Sequence, residues 1–428
     1  MGLRLAGLAV TLVLLLAGLE ALSLAWVYSK RGAVYYAAER KSASDVPAAL
    51  QIPEAVFHPY MGFIHRVGRT GEGWRTNNVG FQVAEPLARD APDCCDIPHA
   101  RRDNEVLVGV FGGSVATSFA MRAQVDATLA RRLQEISAYR DRPVRVLNFA
   151  MPAFRQPQQM IALAYFQTLG QELDIALEID GFNEVVTSQR NFQSGVEPSF
   201  PADTLWGEWG RQIERQGGRS GEAAAEAGLA GYYRFAAQRW MAESGQCFFA
   251  ACHLGKAALA KLSAWRAQRL ERGLRQTTAT LFPTTIRTRP APGFDVVATT
   301  ADQWRDASIA MASLARQNGT LYLHVVQPNQ WWQAAGDYQP IAADHIYGWV
   351  PDLVNKGYPA IVARTPALKA AGVELLDATL LFKDRAARAM YVDDCCHYTD
   401  QGNDLLAGAI ADQVAAIQAE GRAPASRR

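Results

Sequence analysis

A serine, an asparagine and an aspartate-histidine pair are the side chains of this sequence best suited to chemistry on a carbonyl group. Ser114 directly follows two glycines, which let the backbone turn sharply and bring a hydroxyl close to a substrate. Asn183 carries an amide donor that can hold the negative oxygen formed when a carbonyl is attacked. Asp394 precedes His397 by three residues, so in a turn its carboxylate can orient the imidazole and stabilise the charged form.

Each of these features also has an explanation without chemistry. Gly-Gly-Ser is common in plain turns, and an asparagine after a strand often forms an Asx turn or caps a helix. A metal site around His397 is less well supported, because no second histidine stands at ligand spacing. We therefore predict neither metal nor cofactor, and catalysis requires that the fold bring the separate segments together.

Apolar runs predict the elements that must position these residues. Nearly continuous apolar runs are typical of strands covered on both faces, and they occupy residues 106–111, 144–149, 175–179, 321–326 and 373–376. Helical patterns lie between them, including one stripe at Val125, Leu129, Leu133 and Ile136. This alternation predicts an α/β domain with a parallel sheet of about five strands between helical layers. Ser114 and Asn183 then follow strands at the edge where such domains place their sites.

The rest of the chain is arranged around this domain. We expect a transmembrane anchor or signal at 1–28, an irregular and β segment packed on the main domain at 29–102, the α/β domain at 103–418 and a disordered tail at 419–428.

A long insertion is expected at about 185–316, because this stretch exceeds any ordinary connection. Within it, residues 254–276 form a basic amphipathic pattern with a stripe of Leu259, Leu262 and Trp265. We predict a helix that packs this stripe on the sheet, with a membrane-surface role as the alternative. The insertion is therefore expected to be largely helical.

The N-terminal segment is apolar enough to cross a membrane. Only Thr11, Glu20 and Ser23 interrupt the run Leu5–Val27, and a helix of this length spans a hydrocarbon core of roughly 30 Å. A signal peptide cleaved near Ala25 is the competing interpretation. We favour the uncleaved anchor, because the run is longer than a usual signal core.

Charge and cysteine usage point to different sides of the membrane. Basic residues follow the apolar run, and that bias would keep the large domain in the cytoplasm. The six cysteines form three local pairs, which favours an oxidising compartment: Cys94/Cys95, Cys247/Cys252 and Cys395/Cys396. We expect a disulfide between Cys247 and Cys252, and one cysteine of each adjacent pair can link the other two segments. Six reduced thiols in a cytosolic protein are the alternative.

Composition excludes several classes of protein. The 428 residues are 49% hydrophobic and 20% charged, which is too apolar for a disordered chain and too mixed for a polytopic membrane protein. Lys and Arg number 43 against 42 Asp and Glu, so no net field attracts nucleic acid. We therefore expect a small-molecule or glycan partner and no nucleic acid.

Taken together, four segments resemble the catalytic blocks of the SGNH (GDSL-like) hydrolases, and they come in that family's order. They are Gly112-Gly113-Ser114, the stretch from Asn148 to Ala153, Gly181-x-Asn183-Glu184 and Asp394-x-x-His397. The similarity extends over about 105–417 without most of the insertion. The anchor and the motifs at 58–63 and 77–81 further resemble a membrane-anchored bacterial branch of this family.

The resemblance implies a flavodoxin-like three-layer sandwich of the SGNH-hydrolase type and a catalytic triad. Ser114 is then the nucleophile, His397 its general base and Asp394 the orienting carboxylate. An oxyanion hole is implied at the amides of Ser114 and Ala153 and the side chain of Asn183.

The sequence departs from the family's pattern at three positions. Gly113 stands where the family usually has aspartate, at a position that transfers no proton. Ala153 stands where glycine is usual, which keeps the amide but adds a methyl beside the acyl group. Glu184 replaces the more usual aspartate after the asparagine, which is a mild change.

The function expected on this basis is a serine esterase that cleaves O-acyl esters, foremost O-acetyl esters of cell-envelope glycans, through an acyl-enzyme. An O-acyltransferase with the same triad and a non-catalytic envelope protein that binds glycan in the same fold are the alternatives. The expected location is the bacterial inner membrane, single-pass, with the catalytic domain in the periplasm. Protein partners and oligomeric state are not predicted.

Overall fold

The structure is a computed structural model, and it describes residues 2–31, 35, 55–85, 87, 94–102, 104–193, 197–202, 221–281, 293–336, 338 and 350–424. The chain divides into two compact units. One contains Met1–Pro53 and Trp206–Phe282, and the other contains Glu54–Leu205 and Pro283–Arg428.

The second unit begins with short antiparallel strands: β1 (Ala55–His58), β2 (Gly62–His65), β3 (Thr70–Gly71), β4 (Trp74–Thr76) and β5 (Gln82–Ala84). β1 pairs with β2, and β3, β4 and β5 form a second small sheet. The Phe63 ring packs edge to face on Phe154, with centroids 5.1 Å apart. Phe81 packs in the same way on Phe149 and Phe166. Phe63 and Phe81 close the motifs at 58–63 and 77–81, so each motif supplies an aromatic side chain to the core of the α/β domain.

The central sheet has five parallel strands: β6 (Val106–Gly112), β7 (Val144–Asn148), β8 (Ile175–Asp180), β9 (Leu321–Val326) and β10 (Glu374–Asp377). Their spatial order is β7-β6-β8-β9-β10. Every residue of β6, β8 and β9 is buried, which explains their continuous apolar runs. The prediction of an α/β domain with a five-stranded parallel sheet is confirmed.

The helices used below are numbered in chain order: α1 (Gly2–Arg31), α2 (Ser114–Val125), α3 (Thr128–Gln134), α4 (Gln158–Thr168), α5 (Phe182–Gln193), α6 (Gly221–Gly245), α7 (Ala250–Leu281), α8 (Val296–Gln317), α9 (Val350–Ala370), α10 (Ala387–Met390) and α11 (Asp400–Ala419). In the α/β unit, α2, α3 and α11 contact one another, and α4, α5, α8 and α9 form a separate contacting group. Two such groups are what a sheet covered on both faces requires.

The strand order places a crevice between β6 and β8. The chain passes from β6 to its neighbour β7 on one side, and it then returns to β8 on the other side. Such a reversal separates the loops that follow the two strands, and open α/β sheets place ligands at this point. Ser114 follows β6 and Asn183 follows β8. Both therefore stand beside the crevice.

One predicted helical stripe is interrupted. The pattern from Val125 to Ile136 predicts one helix, but α2 ends at Val125 and α3 begins at Thr128. The Asp126 carboxylate accepts a hydrogen bond from the Thr128 amide at 2.8 Å, which forms an Asx turn between the two helices. Leu129 and Leu133 are buried as predicted, whereas Val125 is 50% exposed.

The insertion is shorter than its predicted range of 185–316. Most of α5 and α8 falls in that range, yet both helices belong to the α/β unit and contact each other. The described inserted residues form α6 and α7, which pack together in the unit that also contains α1. The last helix ends at Ala419, and residues 425–428 of the predicted tail lie outside the described residues.

The prediction for the stripe on α7 is wrong. Leu259, Leu262 and Trp265 are 43 to 47% exposed instead of buried. The buried side of α7 instead carries Ala250, Ala260 and Ala267. Small side chains let helix backbones approach closely, so alanines rather than the larger apolar residues mark the buried side of α7, which contacts both α6 and α1.

The structure pairs four of the cysteines. Disulfides join Cys94 to Cys95 and Cys247 to Cys252, whereas Cys395 and Cys396 are free. The expected Cys247 pairing is therefore present. The suggested link from Cys94 or Cys95 to the Cys395/Cys396 segment is wrong, because the first two cysteines bond to each other.

This pairing predicts which thiols react with an alkylating reagent. Denatured, unreduced protein taken from its native cell is expected to carry two alkylated cysteines, Cys395 and Cys396, and reduction should expose all six. Peptide mass spectrometry measures this directly. Alkylation of all six without reduction would instead indicate a reducing compartment for the domain.

Candidate active site

Ser114 stands at the sharp turn from β6 into α2. Gly112 has φ 141°, and a Cβ on it would lie 2.2 Å from the carbonyl oxygen of Ile179. Only glycine fits this position without displacing the neighbouring strand. Gly113 is extended and caps α2, whose first residue is Ser114. The half-buried hydroxyl is thus held at the C-terminal edge of the sheet and at a helix N-terminus.

His397 contacts this serine across the sheet edge. Its Nε2 lies 2.7 Å from Ser114 Oγ, a hydrogen-bond distance over 283 positions of sequence. An antiparallel bridge between Tyr391 and Tyr398 closes the segment that carries the histidine. Thr399 then caps α11 through its hydroxyl, which accepts from the Gly402 amide at 3.1 Å.

The carboxylate that orients His397 is Asp393, not the predicted Asp394. Asp393 Oδ2 lies 2.5 Å from His397 Nδ1. Its other oxygen accepts the backbone amides of Cys395 and Cys396 at 3.0 Å and of His397 at 3.2 Å. Burial alone would raise the pKa of Asp393, but the hydrogen bonds from His397 and these amides outweigh it and lower the pKa. Asp393 is therefore held as an anion against the imidazole.

Asp394 has a different environment. Its Oδ1 accepts a hydrogen bond from the Tyr338 hydroxyl at 2.7 Å, and its carbonyl oxygen accepts from Trp331 Nε1 at 2.9 Å. Successive side chains in an extended turn point to opposite sides. The Asp393 side chain points into the turn and accepts its backbone amides. The Asp394 side chain therefore points the other way, toward Tyr338 and Trp331.

Asn183 reaches the same region from the start of α5. Its Nδ2 donates to the carbonyl oxygen of Phe154 at 2.8 Å. A Cβ built on Gly113 would lie 2.1 Å from this Nδ2 and 3.2 Å from the Phe154 carbonyl oxygen. The loops after β6, β7 and β8 therefore meet beside Ser114. An amide nitrogen carries two hydrogens, so one remains for a substrate oxygen.

This contact explains why glycine precedes the serine. The Asn183 amide occupies the space that any side chain at position 113 would need. A side chain at position 113, such as the usual aspartate of the SGNH pattern, would displace the Asn183 amide, so Gly113 permits the observed position of Asn183.

Ala153 lies in the loop after β7 with φ 69°, in the left-handed region. An L-residue with a side chain pays roughly 1–2 kcal/mol for this conformation. Its neighbour Phe154 carries the carbonyl oxygen that Asn183 binds. Ala153 thus lies next to the residue that Asn183 contacts, and the role of its amide in an oxyanion hole stays a prediction.

The comparisons with known proteins find no match: no protein-family model and no curated protein matches the chain. The geometry and the sequence motifs are therefore the basis for assigning chemistry to Ser114, Asp393 and His397.

Buried acids lie behind the site, and Glu184 is the one of them that the sequence motifs include. Glu184 accepts the backbone amides of Gly181 at 2.8 Å and Gln156 at 3.0 Å, so it ties the loop after β8 to the loop after β7. Burial, with the nearby charge of Asp180, raises the pKa of Glu184 to about 8. Glu184 is a positioning residue for both loops that approach Ser114.

A second buried group lies on β8 and β9. His324 Nε2 lies 2.8 Å from Asp180 Oδ1, which also accepts from Trp304 Nε1 at 2.9 Å. Glu178 binds Gln156 and Tyr322, and burial raises its pKa well above the usual value. Glu178, Asp180 and His324 have the donor types of a metal site, but protein donors hold both oxygens of Glu178 and one oxygen of Asp180. We interpret the group as a buried hydrogen-bond network beneath the sheet edge that carries Ser114.

Proposed function

We propose that this protein is an SGNH-type serine esterase that cleaves O-acyl esters through an acyl-enzyme. One observation carries the proposal: Ser114 Oγ, His397 Nε2 and Asp393 form a continuous chain of contacts at 2.7 and 2.5 Å. A structural turn needs no base beside its serine, and a binding site needs no carboxylate to orient that base. The order of the sequence motifs supports the same family.

The arrangement supports each step of ester cleavage. Ser114 Oγ attacks the carbonyl carbon while His397 Nε2 takes the hydroxyl proton, and the C–O bond to the leaving alcohol then breaks. His397 returns the proton to that alcohol, and Asp393 stabilises the imidazolium between the two transfers. Water then attacks the acyl-enzyme and restores Ser114. An alcohol in place of water gives the acyltransferase reaction from the same residues.

The proposed substrate class and location follow the sequence. Val10–Ser29 is a helix long and apolar enough to cross a membrane. We propose that it anchors the protein in a bacterial inner membrane and that the catalytic domain faces the periplasm, where O-acetyl groups of envelope glycans are the expected esters. The two disulfides support an oxidising compartment.

A fluorophosphonate probe tests the proposal. An activated serine attacks the phosphorus and displaces fluoride, whereas an unactivated surface serine does not react. We expect one covalent adduct on Ser114, identified by peptide mass spectrometry, and none in Ser114→Ala. No adduct on the folded full-length chain would favour a non-catalytic binding protein.

The oxyanion hole gives a separate prediction. Asn183→Ala is expected to lower kcat by on the order of 100-fold or more, because a donor to the developing oxyanion is lost. Ala153→Gly keeps its amide and removes only a methyl from a residue at φ 69°. Its activity should equal the parent's on acetyl esters and match or exceed it on butyryl esters.

Parallel kinetics on aryl acetate and aryl butyrate distinguish these outcomes. If Asn183→Ala is as active as the parent, Asn183 does not bind the oxyanion. An inactive parent that Ala153→Gly activates would show that the methyl blocks the site and would favour the binding-protein alternative.

A further inference from the structure

The inserted helices form an antiparallel hairpin with an apolar end. Lys256 Nζ lies 2.9 Å from Glu243 on the facing helix, and the Arg266 guanidinium lies over the Tyr233 ring at 5.4 Å. These pairs show that α7 runs back along α6. We call residues 246–249, which join the two helices, the hairpin tip. The Cys247–Cys252 disulfide joins this tip to the first turn of α7.

The apolar helix α1 binds the hairpin beside its tip. Glu20, the one acid in the apolar run, accepts the backbone amides of Ala250 and Ala251 at 2.6 and 2.8 Å. The first amides of a helix have no carbonyl partner within that helix, and its N-terminus favours a carboxylate. Glu20 supplies that carboxylate to α7. Val27 packs with Ala250 in a small buried cluster. The acid within the apolar segment is thus satisfied by the hairpin.

These contacts set the level of the tip along α1. Glu20 and Val27 lie nine and two residues before Ser29, the end of the membrane-competent segment. At about 1.5 Å per residue, the contacts therefore lie roughly 3 to 14 Å inside that end. A tip at this level cannot be in water if α1 spans a bilayer with a hydrocarbon core of roughly 30 Å.

Two of the three exposed side chains of the tip suit hydrocarbon, and the third, Gln246, lies at its α6 end. Phe248 and Phe249 are 64% and 56% exposed, and their rings pack edge to face at 5.1 Å. Two adjacent exposed phenylalanines are unusual on a water-facing surface. The nearest described ion pairs of the hairpin join Glu243 to Arg239 and Lys256, one to two turns back from the tip. Long basic side chains at that height can extend toward lipid headgroups.

We propose that the hairpin tip inserts Phe248 and Phe249 into the hydrocarbon of the lipid bilayer that α1 spans. The occupant is the bilayer rather than another protein, because the tip is bound to the segment of α1 that is itself apolar and exposed. The chain then has two membrane attachments, a spanning helix and a shallow re-entrant hairpin. The proposal depends on α1 spanning the bilayer and not on the esterase activity.

Site-specific photocrosslinking tests this in the full-length protein. The chain is reconstituted into vesicles of phosphatidylcholine and phosphatidylglycerol with p-benzoylphenylalanine replacing Phe248, a residue that tolerates the change because its side chain is exposed. Phe235 is the matched control, since it is the same residue type, is 62% exposed and lies 12 residues before Cys247, about 18 Å along α6. The probe at Leu15, 67% exposed on α1, reports the spanning helix.

After illumination, mass spectrometry is expected to show lipid adducts at Leu15 and Phe248 and several-fold fewer at Phe235. Equal lipid labelling at Phe248 and Phe235 would overturn the proposal. Crosslinks from position 248 to a second polypeptide, in place of lipid adducts, would overturn the proposal in favour of a second copy or a protein partner. No lipid adduct at Leu15 would remove the spanning helix and the proposal with it. None of these readouts uses catalysis, so loss of the proposed esterase function would leave them unchanged.

Discussion

Ser114→Ala is expected to reduce kcat/KM for a short-chain aryl ester by roughly 10⁴-fold or more, because the nucleophile of the acyl-enzyme is removed. The melting temperature should stay within a few degrees of the parent's. Ser114 is half-buried, its hydroxyl contacts His397, and alanine is well tolerated in a helix. Ester hydrolysis and thermal melting of the two purified proteins measure both effects.

Ser118→Ala is the matched control for this variant. Ser118 lies one turn further along α2 and is also half-buried. Its replacement should leave kcat/KM unchanged within about two-fold, because it has no part in the chain of contacts through His397. If Ser114→Ala keeps parental turnover while folded, Ser114 is not the nucleophile and the proposed function fails.

Asp393→Asn is expected to lower kcat by roughly 10³ to 10⁴-fold. Asparagine has the size of aspartate and can still accept the backbone amides that now bind Asp393. Its amide group, however, would present hydrogens to His397 Nδ1, which favours the wrong imidazole tautomer and leaves the imidazolium without a counter-charge. The loss should appear in kcat at every pH at which the parent is active.

Asp394→Asn is the informative comparison, because the sequence alone points to this residue. Its carboxylate accepts from the Tyr338 hydroxyl, and an asparagine oxygen can accept the same hydrogen bond. We expect activity within a few-fold of the parent's. A large loss in Asp394→Asn with little change in Asp393→Asn would show that the catalytic turn rearranges and that Asp394 orients the histidine.

The difference between these two carboxylates shows where prediction from sequence stops. Ser114, Asn183 and His397 can be located because each stands where a strand or turn meets a helix, and strand periodicity predicts that edge. The choice between Asp393 and Asp394 depends on which side of a turn each side chain takes. Pairing of Tyr391 with Tyr398 and capture of three backbone amides decide that, and neither is visible in residue types.

The buried acids of β8 were missed for a related reason. β8 is predicted as an apolar strand, and Glu178 and Asp180 stand at alternate positions of it, on one face. That spacing signals a shared environment, but the partner His324 lies on another strand more than a hundred residues away. The buried side of α7 was missed because it carries alanines, which give little hydrophobic signal.

Glu184 has a consequence for the whole molecule, which is that unfolding near neutral pH should release protons to the solvent. The folded protein keeps a proton on Glu184 up to a pKa of about 8, whereas an unfolded glutamate loses it near 4.5. Between these values the folded state binds more protons, so the free energy of unfolding falls as the pH rises, and Glu178 acts in the same direction.

The melting temperature should drop by several degrees between about pH 6 and about pH 9, and Glu184→Gln should flatten this drop. A melting temperature that rises over this range would mean that Glu184 is already ionised in the folded protein. If it falls as expected, mild alkalinity would loosen the two loops that Glu184 ties together and acidity would tighten them.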